Sequence, residues 1–236
     1  FGDNVLWGTT SGSSNSAFGY NALYSNTSGS YNIAMGDSAL YSATTQVYNI
    51  AIGNSALYAG GGNYNTAIGH GSQLFSTSSN NTSVGYYSMY HNTEGASNVA
   101  FGMNSLFLNT TGDNNTAIGM NALYQNTTAS NNTAVGYNSM YTNTTGSYNT
   151  ALGYNSLYSN TTGAYNTATG YEALYSNTTG EGNSAFGMHA LQDNTTGNNN
   201  TAIGNEALYF NTTGSGNVAV GKGALNSNTE GNYNVA

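Results

Sequence analysis

Side chains capable of acid–base or metal work are sparse: nine acids, one base and three histidines among 236 residues, with no cysteine. Their spacing follows a core motif, Asn-Thr-Ala-Ile-Gly and its variants. Its glycine recurs at Gly2, Gly19, Gly36, Gly53, Gly69, Gly85, Gly102, Gly119, Gly136, Gly153, Gly170, Gly187, Gly204 and Gly221. Glu172 and Glu206 fall in one slot of this repeat, two repeats apart and so roughly 10 Å at strand spacing, with nothing basic beside them. Asp113 and Glu181 share another slot four repeats apart. Acid–base catalysis needs its groups within reach of one substrate, so these acids read as scattered solubilising charges and the chain is not expected to be an enzyme. His70, His91 and His189 lie in three different slots, which one chain does not stack into a metal site. The Asp ladder of calcium-binding nonapeptide repeats is missing, and neither a metal nor a cofactor is expected.

Two regular columns are better candidates for recognition. Tyr124, Tyr141, Tyr158 and Tyr175, with Tyr24, Tyr41, Tyr58, Tyr90 and Tyr209, recur beside the leucine slot. With neighbouring Asn they offer rings to stack on sugars, or else pack on one another as a spine. The second column is the Asn-Thr-Thr triplet, where Asn109 and Thr111, Asn126 and Thr128, Asn143 and Thr145, Asn160 and Thr162, and Asn177 and Thr179 are expected to point the same way. A regular Thr-bearing face orders water in ice-binding solenoids, although those favour a Thr-x-Thr pair.

What positions these columns is the repeat itself. Eleven of the thirteen glycine intervals are 17 residues and the other two, Gly53 to Gly69 and Gly69 to Gly85, are 16. The consensus N-T-A-[IVF]-G-x-x-[AS]-L-Y-x-N-T-T-G-x-x lacks an i, i+3, i+4, i+7 apolar stripe and is rich in Gly and β-branched residues, which argues against helix. In NTAIG the alternation puts Asn, Ala and Gly on one face and Thr and Ile on the other. The core glycine and the NTTG stretch supply corners, and Leu-Tyr is expected as a second strand. Stacking one unit per coil predicts an all-β parallel solenoid of fourteen coils, roughly 65 Å long at about 4.8 Å per coil. Asn98, Asn115, Asn132, Asn149, Asn166, Asn183, Asn200 and Asn217 then form a structural ladder, bonding along the axis or serving as turn residues. The strand is apolar on both faces, so its outer face calls for cover by other chains; trimerisation is the preferred form.

Composition narrows the partners. One Lys and no Arg against nine acids leave no counter-charge for phosphates, so nucleic acid is not expected. No apolar run approaches the roughly 20 residues of a membrane span, and no leader pattern is evident. Residues 1–236 read as one continuous array, irregular around 1–15 and 59–85, where Leu74-Phe75 sit one place late. The chain opens and closes in mid-repeat, as a window cut from a longer fibre would.

The segments NTAIGMNAL (115–123), NTAVGYNSM (132–140), NTALGYNSL (149–157) and NTAIGNEAL (200–208) resemble the head repeats of YadA-like trimeric autotransporter adhesins. The longer unit with ALYxNTTGxxNTA also looks like repeats of phage tail fibres and secreted fibre proteins. The resemblance implies a left-handed β-roll, a homotrimer, and an extracellular, cell-surface or virion fibre that works as a surface adhesin; a cell-surface glycan is the partner that the Tyr-Asn column would suit. The longer period and the Tyr-Asn-Thr-Thr corner depart from the adhesin heads. Ile-Gly-x-x-Ala also fits the hexapeptide of triangular β-helices, which leaves a single-chain three-sided solenoid as the alternative.

Overall fold

The computed structural model describes residues 2–236. Two compact units follow one another in sequence, divided between Asn115 and Thr116. The first contains β1 (Ser16–Phe18), β2 (Ile33–Met35), β3 (Ile50–Ile52), β4 (Thr66–Ile68), β5 (Thr82–Val84) and β6 (Val99–Phe101). The second contains β7 (Thr116–Ile118), β8 (Thr133–Val135), β9 (Thr150–Leu152), β10 (Thr167–Thr169), β11 (Ser184–Phe186), β12 (Thr201–Ile203) and β13 (Val218–Val220). Within each unit every strand pairs in parallel with the next, like residue on like: Ala17 with Ala34 in the first, Ala134 with Ala151 in the second. This is a parallel β-solenoid, and the described residues include no helix.

Each strand is three residues long and only its middle residue is buried, Ala117 in β7 or Ala151 in β9, while its neighbours face outward. One strand per coil also separates the fold from the three-sided alternative, which needs three. The expected second strand is a turn. Leu123, Met140, Leu157 and Leu174 have φ of 51–53°, and the residues two before them, such as Asn121 and Glu172, are left-handed too. Left-handed residues curl the chain where extended ones would continue it. Backbone groups there are satisfied between coils: Leu123 N–H donates to the Ser139 carbonyl at 3.0 Å, and Asn138 N–H donates back to Met120 at 3.0 Å. Strain of about 1 kcal/mol per left-handed leucine is offset by the roughly 1.5–3 kcal/mol from burying its side chain, fully enclosed in each case.

The core glycines have extended-positive φ, +134° at Gly187, and an added Cβ there would lie 2.6 Å from the Gly204 carbonyl oxygen. No other residue fits that corner. The interior is narrow, filled by the strand Ala, an Ala or Ser, the Leu, and two Asn per coil. The two short intervals keep the strand register, with Ala51 on Ala67 and Ala67 on Ser83. In the second of them Gln73, not Leu74, fills the buried leucine slot.

Candidate functional site

Tyr124, Tyr141, Tyr158 and Tyr175 form a column of nearly parallel rings, with centroids 5.1–5.3 Å apart and planes within 2–8° of one another. Each follows the buried residue of the leucine slot, Leu123, Met140, Leu157 or Leu174, so the seventeen-residue repeat sets the ring spacing. The faces inside the column are covered by neighbouring rings; the column is a packed spine, half-buried throughout. Burial, then the adjacent tyrosines, pushes the Tyr141 and Tyr175 phenols above their ordinary range. Tyr24, Tyr41 and Tyr58 repeat the arrangement at 5.1 Å. Tyr90 stacks on Phe107, and Tyr209 meets Phe210 edge-on.

The Asn-Thr-Thr triplet divides across the wall. Asn109, Asn126, Asn143, Asn160 and Asn177 are fully buried, whereas Thr111, Thr128, Thr145, Thr162 and Thr179 are exposed. The expectation that each Asn shares an outer face with its Thr is therefore corrected. The Asn side chain closes its own turn: Asn160 Nδ2 donates to the Gly163 carbonyl at 2.9 Å and to Asn143 Oδ1 at 2.8 Å. The first Thr is engaged as well, Thr144 Oγ1 donating to the Thr161 carbonyl at 3.0 Å. One exposed Thr column remains where an Asn-Thr surface was expected.

The structural ladder is placed as expected. Asn98, Asn115, Asn132, Asn149, Asn166, Asn183, Asn200 and Asn217 are buried. Each link in the second unit has the form of Asn166, whose N–H donates to Asn149 Oδ1 at 2.9 Å while its Nδ2 donates to the Gly180 carbonyl at 2.8 Å. Axial bonding and turn closure, posed as alternatives, are both made by one side chain.

Beside these ladders runs an apolar strip that the consensus announced only in part. The residue before each core glycine from Gly19 to Gly221 faces outward, and Phe18, Met35 and Phe101 in the first unit and Ile118, Leu152, Phe186, Ile203 and Val220 in the second are exposed. The residue after the glycine is also outward: Tyr20, Tyr86 and Met103, then Tyr137, Tyr154, Tyr171 and Met188. Residues two apart have Cα atoms within about 7 Å, so the two columns adjoin. Tyr137, Tyr154 and Tyr171 stack at 5.2 and 5.3 Å. A third tyrosine column, Tyr31, Tyr48 and Tyr64 in the first unit and Tyr148 and Tyr165 in the second, stacks at 4.9–5.3 Å and is also exposed. Both added columns were legible from the period, but they occupy slots that the consensus leaves open.

The acids are less isolated than their spacing suggested. His189 occupies the slot shared by Glu172 and Glu206, in the coil between them, which corrects the reading that nothing basic accompanies the pair. Its Nδ1 lies 3.6 Å from Glu172 Oε2, an electrostatic contact longer than a hydrogen bond. Counting one repeat on from Glu172 finds it. Asp113 instead accepts from the Ala96 N–H at 2.7 Å, and burial raises the Asp193 carboxyl. Among the described residues no three His, Asp or Glu side chains converge as metal ligands, and no helix is long and apolar enough to cross a membrane. No protein-family model matches this chain, and no curated protein matches its sequence.

Proposed function

We propose that this chain is the structural repeat region of an extracellular or virion fibre, an adhesin head or shaft or a tail fibre, which assembles with copies of itself as a homotrimer. The observation that carries the proposal is the paired apolar strip on the outside of a solenoid whose interior is already filled. Monomeric soluble proteins rarely leave such columns in water, and a second and third copy of the same chain offer a surface of matching period. The role is mechanical. Inter-coil backbone bonds and two buried Asn ladders resist local opening, and a polar, nearly uncharged remainder gives weak multivalent contact.

Mass in solution tests the assembly, by light scattering or sedimentation equilibrium. Three times the 24.4 kDa of one chain is expected, and a single-chain mass in dilute buffer would sink the trimer. Glycan adhesion is a second role, supported by the exposed, stacked rings of Tyr148 and Tyr165. Binding on a glycan array that weakens in a Tyr148→Ala, Tyr165→Ala variant is the result expected of it, and silence across the array removes it.

A further inference from the structure

In the second unit two columns of large side chains are interrupted together. Glu172, His189 and Glu206 are followed in their slot by Gly223, and Tyr209 is followed in its slot by Asn226. Where those side chains are missing lies a cleft of about 300 Å³, lined by His189, Glu206, Tyr209, Phe210 and Asn226. The Tyr209 and Phe210 rings meet at 70° with centroids 4.6 Å apart, making an aromatic corner. His189 closes one side, 5.9 Å from the Tyr209 ring and 5.3 Å from Tyr171. On the other side Asn226 Nδ2 donates to the Glu206 main-chain carbonyl at 3.2 Å, and Glu206 itself lines the cleft.

The Glu206 carboxylate is the telling group. It is half-buried, and among the described residues the one close acid–base contact is His189 with Glu172, so Glu206 has no paired base. A partly desolvated carboxylate against two ring systems is matched by a cation that its charge and the ring faces attract together. A net charge of −8 adds a field that favours cations over anions around the whole chain. The cleft lacks the three converging ligands that a bare metal ion needs.

We infer that this cleft binds an organic cation, a protonated alkylamine or a quaternary ammonium, with Glu206 as the counter-charge and Tyr209 and Phe210 as the aromatic walls. The same chemistry is offered by a free small molecule and by a lysine or methylated lysine side chain. The inference is independent of the fibre reading, because it rests on one cleft within one unit.

The test is an NMR titration of the full chain with tetramethylammonium and with butylamine, using sodium chloride and methyl glucoside as controls. Saturable shifts in the millimolar range, centred on Glu206, Tyr209 and Phe210, are expected with the two cations. Affinity is expected to fall at least about fivefold in Glu206→Gln and in Tyr209→Leu, whose spectra elsewhere should be unchanged. Tighter binding of a trimethyllysine peptide than of tetramethylammonium assigns the site to a protein partner, and equal binding assigns it to a free cation. No saturable shift with either cation, undiminished binding in Glu206→Gln, or a preference for the sugar overturns the inference.

Discussion

Asn160 illustrates how much one buried amide carries in this fold. Its Nδ2 serves Asn143 Oδ1 and the Gly163 carbonyl, and its own Oδ1 accepts from Asn177 Nδ2 at 2.8 Å. Asn160→Ala strands those buried groups at once, and a loss of about 2–4 kcal/mol is expected, read as a fall in the urea midpoint. Thr162→Ala, two residues on but exposed, is expected to stay within about 0.5 kcal/mol. Gly187→Ala combines an unfavourable φ of +134° with a 2.6 Å approach to a backbone oxygen, and a loss of about 3 kcal/mol or more is expected in the same experiment. The phenols of Tyr141 and Tyr175 lie above 10.0 in the folded chain because burial disfavours their phenolates. A raised folded value means that their contribution to stability is complete below the unfolded value of about 10 and is lost as pH climbs through the folded one. A phenolate absorbance titration should therefore show these rings ionising later than free tyrosine, with unfolding made easier in that alkaline window; ionisation at the free value contradicts it.

At the scale of the element, the Asn-Thr-Thr-Gly corner is a hydrogen-bond device and not merely a turn. The carbonyl of Thr161 accepts from the N–H groups of Thr144, Thr145 and Gly146 at 3.0, 3.1 and 3.3 Å, and from Thr144 Oγ1. Three successive amides aimed at one oxygen explain why the triplet recurs so strictly in the second unit. The short coils of the first unit follow another logic. Gln73 stands where a leucine belongs, and its Nε2 donates to the Thr66 carbonyl at 3.0 Å and to Ser83 Oγ at 2.9 Å, while Ser83 stands where an alanine belongs. Two exceptions in neighbouring coils thus match each other, which suits a repetitive chain in which a slip by one whole coil would otherwise bury much the same residues. Ser83→Ala alone should cost about 1–2 kcal/mol by removing a partner of Gln73. Gln73→Leu with Ser83→Ala restores the repeat's own core residues and should recover that loss in a double-mutant cycle, whereas strict additivity would show that the pair does not act together.

For the whole molecule, the consequential feature is the outward apolar strip that both units carry. Burying a half-exposed Leu or Phe in an interface contributes about 1 kcal/mol each, so the strip acts through number and regularity. Leu152→Asp with Phe186→Asp should shift the measured mass toward one chain, while the same changes at exposed Thr145 and Thr162 should leave it in place. An apolar interface is insensitive to screening, so salt raised to about 1 M should leave the proposed trimer intact. Dissociation by salt alone would point to charge pairing, for which a chain with one lysine has little material.

Much of the architecture is legible in the sequence alone. A fixed period with identical residues at fixed offsets stacks in one way, like on like, and alternation about the strand alanine assigns its inner and outer neighbours. The axial Asn ladder and the outward hydrophobics followed from that translation alone. Other features belong to the tertiary structure. Nothing local makes a leucine left-handed; inter-coil hydrogen bonds and the enclosed core select that conformation at Leu123 and Leu157, and so turn an expected strand into a curl. The curl rotates Asn109, Asn126, Asn143, Asn160 and Asn177 inward and sends their threonines outward. It also decides that Gln73 is buried in preference to Leu74, because the strand register holds while the loop gives up a residue. The His189–Glu172 contact and the cleft beside Glu206 depend on which side chains are missing from the next coil, a relation that period alone lines up and only packing in space completes.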